Sequence, residues 1–376
     1  MSWTIPLTDV VFDEQDVEAV AECLESGWLT MGPRTQRLEA AVAAWTGSPH
    51  AIAVSSGTAA LHLACAAINL EPGDEVLVPA FTFVATANAP RYRGATPVLC
   101  DVASPAAPNL DPADLEHRIT PRTRAVIAVH MCGYPADITA IKAVCDAHGL
   151  ALIEDAAQAI GAELTPGVQA GTAGELGCVS FFSKKQLGVG EGGMVLTADG
   201  ELAERVKRLR SHAMTSGTWD RHRGHEDSYD VVDVGFNFRL DEPRAALALS
   251  RLPHLAADIA RRRAAVRAYR ARLAGLPGLT PMWDDAAVEA GSHFAFTVLF
   301  DSPERRAASR AALAERGIQT TRYPALHTLS EYAPFAPIGS LPRAEAAAER
   351  HLALPLSAHT TEAQVEQVCA ALAAAA

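Results

Sequence analysis

The sequence predicts an α/β protein built on a mostly parallel sheet flanked by helices. Two observations carry that reading. Between about residues 50 and 200, short apolar runs alternate with amphipathic stretches, the pattern of strands joined by crossover helices. Hydrophobic residues make up 49% of the 376-residue chain and charged residues 20%, a balance that buries a large core and excludes a disordered chain.

The strand-like runs lie at residues 51–55, 75–79, 96–100, 125–130, 151–154, 178–182 and 194–197. Amphipathic segments such as 59–68 and 138–148 fall between them. At roughly 150 residues per domain, the length fits two domains. A large domain is expected over residues 1–245 and a smaller α+β domain over 246–376. The helical, Ala/Arg-rich stretch 241–273 joins them, and the strand-like 294–300 with helices near 305–316 and 361–375 builds the second.

Composition narrows the partners. A net charge of −12 leaves no basic surplus to neutralise nucleic-acid phosphates, though a small phosphorylated ligand needs only a few local donors. Residues 1–10 lack the basic-then-apolar order of a secretion signal, and no apolar run reaches the roughly 18 residues that span a bilayer. A cytoplasmic protein with no membrane partner is expected. The seven cysteines show no CxxC pair and no metal spacing, so they read as buried, reduced thiols with no metal site.

In parallel sheets ligands gather at the carboxyl ends of the strands, and four motifs sit there. Ser55-Ser56-Gly57-Thr58-Ala59-Ala60 turns from a strand into a helix, whose free N–H groups form an anion site; a plain helix cap is the alternative. Ile153-Glu154-Asp155-Ala156-Ala157-Gln158 offers a carboxylate that could keep a pyridine nitrogen protonated, with Gln158 beside a phenolic oxygen. Asp155 could equally be a helix N-cap. Residues 79–86, PAFTFVAT, present aromatic faces that stack on a flat cofactor or simply fill the core.

The fourth motif is SFFSKKQLGVGEGG over residues 180–193. The chain has four lysines, Lys142, Lys184, Lys185 and Lys207, and two of them stand together between an apolar strand and a glycine-rich turn. Lysine can lose its proton and bond to an aldehyde carbon, and glycines permit close packing around a bound ring. A structural turn is the competing reading.

Together these motifs, with YDVVDVGFNFRLDE at residues 229–242, resemble the DegT/DnrJ/EryC1/StrS family of sugar aminotransferases, within the fold-type I pyridoxal-phosphate enzymes. The resemblance runs from about Pro6 to Leu372. It implies pyridoxal 5'-phosphate as cofactor, bound in the large domain. It implies Lys185 as the Schiff-base lysine, because the family leaves four residues between that lysine and the GEGG turn, here Gln186 to Val189. Asp155 matches the partner of the pyridine nitrogen and Gln158 the neighbour of the phenolic oxygen. Phe83 matches the stacking aromatic, and Gly57, Thr58 and Ser180 match phosphate contacts. Asn237 matches an asparagine that reaches the phosphate from a neighbouring subunit, which implies a homodimer with shared sites.

The implied small-molecule substrates are an amino-acid donor, L-glutamate or glutamine, and a nucleotide-linked ketosugar. Three alternatives stand beside this. A cyclitol (inosose) aminotransferase shares the motifs. A same-fold deoxysugar dehydratase carries histidine at the lysine position. A regulatory protein needs no cofactor set. Cys132, Arg322-Tyr323-Pro324 and Pro243-Arg244 depart from the family's pattern and bear on which substrate is taken.

Overall fold

A computed structural model describes residues 3–216, 219, 222 and 228–375. Its strands, in chain order, begin with β1 (His50–Val54), β2 (Glu75–Pro79) and β3 (Thr96–Cys100). A short hairpin, β4 (Val102–Ser104) and β5 (Ala107–Leu110), precedes β6 (Thr123–Val129) and β7 (Ala151–Asp155). A second hairpin, β8 (Glu163–Thr165) and β9 (Val168–Gln169), leads to β10 (Leu176–Ser180) and β11 (Gly193–Thr197). The last three are β12 (Leu279–Pro281), β13 (Phe296–Phe300) and β14 (His351–Leu354).

Seven of these form one sheet in the order β1-β11-β10-β7-β6-β2-β3. Pairs β2–β3, β2–β6, β6–β7 and β7–β10 are parallel, and β11 runs antiparallel to both β1 and β10. The sheet is therefore mostly parallel, as the alternation predicts. Strands β2, β10 and β11 are buried along their whole length, because helices cover both faces. The expected run at 51–55 sits one residue early: the Ser55 N–H leaves the ladder and donates to the Phe238 carbonyl at 2.8 Å.

A smaller antiparallel sheet, β12-β13-β14, follows in the chain. It is accompanied by helices Pro303–Glu315 and Glu362–Ala373. Its central strand starts at Phe296 rather than 294, because residues 292–295 turn back to bond Cys132 and Gly133. Among the described residues no helix is long and apolar enough to cross a membrane, and no cluster of His, Cys, Asp or Glu could hold a metal ion. All seven cysteines are free and buried.

The helix Pro33–Thr46 shows how distant segments are locked together. Its N-cap is Gly32, which has no side chain to satisfy the first N–H groups. The carboxylate of Glu242, fully buried, does that instead. It accepts from the N–H groups of Gly32, Arg34 and Thr35 and from the Thr35 hydroxyl, at 2.8–2.9 Å.

Candidate active site

Strands β1, β2, β6, β7 and β10 all point their carboxyl ends to one edge of the sheet, since β11 alone runs the other way. The four motifs leave from that edge.

Glu154 and Asp155 end β7 and face opposite sides, as alternate residues of a strand must. Glu154 is wholly buried and structural. One oxygen accepts from Ala173 N and Gly174 N, the other from Gly171 N and His130 Nε2, at 2.7–3.0 Å. His130 Nδ1 accepts the Ala136 N–H at 3.0 Å, so the ring proton is assigned to Nε2. Burial pushes the Glu154 carboxyl up, but the His130 bond and the loop N–H groups outweigh it and hold the carboxyl below its ordinary value.

Asp155 has fewer donors. The Thr86 hydroxyl donates to Oδ2 at 2.7 Å and the Ala157 N–H to Oδ1 at 3.1 Å. Thr82 stands behind Thr86, hydroxyl to hydroxyl at 2.9 Å. Here burial wins: it raises the carboxyl above its usual range, against the pull of Thr86, Ala157 and Lys185. No helix follows Asp155; residues 157–161 are turns, so the helix-cap reading fails.

The two lysines part company. Lys184 is exposed, whereas Lys185 is half-buried. The Lys185 turn is closed by its own N–H, which donates to the Phe182 carbonyl at 2.8 Å. It is also closed by Gly188, where a Cβ would fall 2.2 Å from the Ser183 carbonyl oxygen. Nζ lies 4.1 Å from the centre of the Phe294 ring. Loss of water around the amine lowers its pKa to about 8, while Asp155 and Cys132 pull the other way. An amine near that value is neutral often enough at physiological pH to act as nucleophile or base.

Beside this lies a small-residue cup. The Ser56 hydroxyl, not Thr58, caps helix Gly57–Ala67 by accepting from Ala59 N at 3.0 Å. The N–H groups of Gly57 and Thr58, in its first turn, have no carbonyl within the helix to bond. Gly57 packs on Ser180 so closely that a Cβ would sit 2.8 Å from Ser180 Cβ and 3.1 Å from its hydroxyl. The start of a helix, a serine hydroxyl and glycine-exposed backbone thus meet, an arrangement suited to an anion.

Gln158 is buried and its Oε1 accepts the Cys132 N–H at 2.8 Å, which fixes the amide's orientation. Its Nε2 donates to no described residue. The two phenylalanines of the 79–86 motif divide: Phe81 is core at 1% exposure, and Phe83 stands 65% exposed at the sheet edge. Asn237 is exposed, and its side chain makes no hydrogen bond to any described residue. Its backbone bridges to Ser211, and the next residue, Phe238, accepts the Ser55 N–H.

The structure thus draws Asp155, Lys185 and Gln158 into one linked group, with Gly57 and Ser180 in contact nearby. It leaves the Asn237 side chain unattached. It adds Thr86, Gln186 and Phe294, which no sequence motif singled out. Thr86 lay inside the quoted 79–86 stretch, and Gln186 beside the lysine, but nothing in composition told their side chains from their neighbours'.

The profile of the DegT/DnrJ/EryC1/StrS aminotransferase family matches residues 11–373. The chain belongs to this family. It is therefore a pyridoxal-phosphate-dependent aminotransferase by membership. S. venezuelae DesV is 38% identical, with a TM-score of 0.90 over 100% of this chain and 98% of that one. The aminotransferase TlmJ from Streptoalloteichus hindustanus is 34% identical, with a TM-score of 0.90 over 100% and 99%. The putative sugar aminotransferase Spr1654 from Streptococcus pneumoniae, solved in PMP and PLP forms, is 26% identical. Its PMP form gives a TM-score of 0.91 over 99% of both chains.

Proposed function

We propose that this aminotransferase moves an amino group from an amino acid, L-glutamate, to the keto carbon of a nucleotide-linked sugar, using pyridoxal 5'-phosphate held at Lys185. The observation that carries the reading is the pairing of a desolvated lysine amine with a buried, under-donated carboxylate at the carboxyl ends of neighbouring strands. A structural lysine or a helix-capping aspartate needs neither feature. The family's sugar aminotransferases support the acceptor class.

The residues present fit the cofactor. The Gly57–Ser180 cup offers two backbone N–H groups and a hydroxyl to a phosphate. The amide nitrogen of Gln158, which donates to no described residue, would donate to the ring's phenolic oxygen. Phe83 offers an open aromatic face. When bound, the cofactor supplies a carbonyl for amine exchange and a ring that draws electrons from the reacting carbon. Asp155 would keep the ring nitrogen protonated, with Thr86 holding the carboxylate in place. Lys185 Nζ, freed by the incoming donor, would take the proton from the donor's α-carbon and deliver it to the carbon that had been the cofactor's carbonyl. In the second half-reaction the same amine would run these transfers in reverse on the ketosugar.

A dianionic phosphate takes more donors than the cup provides, and Asn237 of a second copy would add one. The exposed strip beside it supports a homodimer: Tyr229, Val231, Val232 and Val234 are 52–81% exposed.

The test is a panel of nucleotide-linked 3-keto and 4-keto sugars incubated with the purified enzyme, cofactor and L-glutamate, read by mass spectrometry for the amino product. Glutamate-dependent amination of at least one sugar is expected. Amination of a free inosose with no nucleotide sugar accepted would overturn the acceptor assignment.

A further inference from the structure

Gln186 follows Lys185 directly and is 3% exposed. Its Nε2 donates to the Gln158 carbonyl at 2.6 Å and to the Ser292 hydroxyl at 2.8 Å, with the Ser292 carbonyl at 3.5 Å. Its Oε1 is buried without a partner among the described residues. A leucine or methionine would fill the same space with no orphaned oxygen. The amide's contribution therefore lies in its two N–H groups.

Those groups reach two different parts of the chain. Gln158 belongs to the turn after β7. Ser292 opens the turn that leads into β13, and that turn is tied to the turn after β6. Ser292 N donates to the Gly133 carbonyl at 2.9 Å and Ala295 N to the Cys132 carbonyl at 3.2 Å. Gly133, at φ 90°, has no room for a Cβ, which would meet Phe294 N at 2.7 Å and Gln158 O at 2.9 Å. His293 is held at φ 55°, with Arg262 donating to its carbonyl at 3.3 Å. The product of these constraints is the Phe294 ring against Lys185 Nζ. Among the described residues, Gln186 is the hydrogen-bonding link between the lysine's own turn and that aromatic.

We propose that Gln186 is a positioning residue: by tying the lysine turn to Gln158 and to Ser292, it keeps the Phe294 ring over Lys185 and holds water off the reacting amine. The inference rests on the reading of Lys185 given above. The charged and titratable groups around the amine are Asp155 from β7 and Cys132 from the turn after β6. Lys184, Asp9, Arg251, Asp258, Arg262 and His359 line, with Lys185 itself, a small space against the same turn. An uncharged substitution at Gln186 alters none of them, so a change in how Lys185 titrates reports water access.

The test is competitive acetylation of the full-length protein across pH, with and without pyridoxal phosphate, read at Lys185 by peptide mass spectrometry. In the cofactor-free wild type, labelling is expected to rise with a midpoint of about 8. Gln186→Leu is expected to raise that midpoint by about one unit or more, toward the ~10.4 of an ordinary lysine. Phe294→Ala is expected to move it as far, and Ser292→Ala in the same direction by less. A Gln186→Leu midpoint still near 8, whatever the melting temperature, overturns the inference and leaves a merely structural amide. If that variant does not fold, unmoved midpoints in both Ser292→Ala and Phe294→Ala overturn it. A wild-type midpoint near 10.4 overturns this inference and the Lys185 reading beneath it together; a wild-type midpoint near 8 with unmoved variants overturns this inference alone.

Discussion

Gly57 lies against Ser180 with no space between them for a methyl group: a Cβ there would stand 2.8 Å from Ser180 Cβ. Gly57→Ala is therefore expected to push the helix start away from the serine. Alanine favours a helix by ~1 kcal/mol over glycine, so the fold is not the casualty. The cup is. Affinity for pyridoxal phosphate is expected to fall by about tenfold or more, equivalent to ~1.4 kcal/mol, in a fluorescence titration. Unchanged affinity would show that the phosphate sits elsewhere.

Lys185 and Lys184 differ in burial, and so in chemistry. Borohydride reduction followed by peptide mapping is expected to find the cofactor on Lys185, with Lys185→Ala unlabelled and Lys184→Ala labelled normally. The attachment rate carries a pH signature. Only the neutral amine attacks a carbonyl, and a pKa lowered to about 8 makes that form available as pH rises through 8. Below pH 8 the rate is expected to fall about tenfold per unit, and above it to level off. A rate still climbing at pH 10 would contradict a desolvated lysine.

Asp155→Asn is expected to retain the cofactor and lose its chemistry. The amide is close to isosteric and still accepts from Thr86, but it cannot hold a proton on the ring nitrogen. The glutamate half-reaction, followed by stopped-flow absorbance, should slow by ~10²–10³, the usual effect of removing one electrostatic stabiliser. Thr86→Val should slow it less. A near-normal rate in Asp155→Asn would reduce the residue to a turn former.

Glu242→Ala removes four hydrogen bonds from the first turn of helix Pro33–Thr46 and leaves its N–H groups buried and unmet. A loss of ~2–4 kcal/mol in denaturant unfolding is expected. Glu242→Gln should fall between, because one amide oxygen can still serve Gly32 and Thr35 while the NH2 opposes Arg34 N–H. Equal stability for all three would mean that solvent replaces the carboxylate at no cost.

Asn237 makes the assembly testable. Asn237→Ala is expected to weaken cofactor binding, and a mixture of inactive Lys185→Ala and inactive Asn237 variants to regain activity through one intact site per mixed dimer. Fully active monomers in sedimentation would refute the shared site.

The sheet was legible in the sequence because apolar runs and crossover helices alternate in a way few other folds tolerate. The limits of the seven strands of the large sheet were legible to within about two residues, shifted where a tertiary bond such as Ser55 to Phe238 drew the chain away, whereas the two short hairpins and the outer strands β12 and β14 were not legible as strands. Strand-end placement also foresaw that Asp155, Lys185, Gln158 and Ser180 would gather at one edge. What escaped was the reason behind side-chain direction. The sequence singles out Asp155 over Glu154, and the alternation of β7 supplies the reason by turning Glu154 to a loop and Asp155 to the opposite side. Phe81 and Phe83 read as a pair, and one is core while the other is open to solvent. Phe294 read as the first residue of a strand, because the turn that lifts it onto Lys185 depends on Gly133, far away in the chain.

The bond between Glu242 and the helix at Thr35 spans more than two hundred residues, and synthesis runs in one direction. A growing chain displays the Pro33–Thr46 segment long before Glu242 leaves the ribosome. Until then the front of that helix has only water for its N–H groups, while the strands of the large sheet are already emerging between the two. The last residue of the motif that reads YDVVDVGFNFRLDE thus finishes a helix begun near the start of translation, and any part of the large sheet that forms before Glu242 emerges does so beside a helix end still open to water.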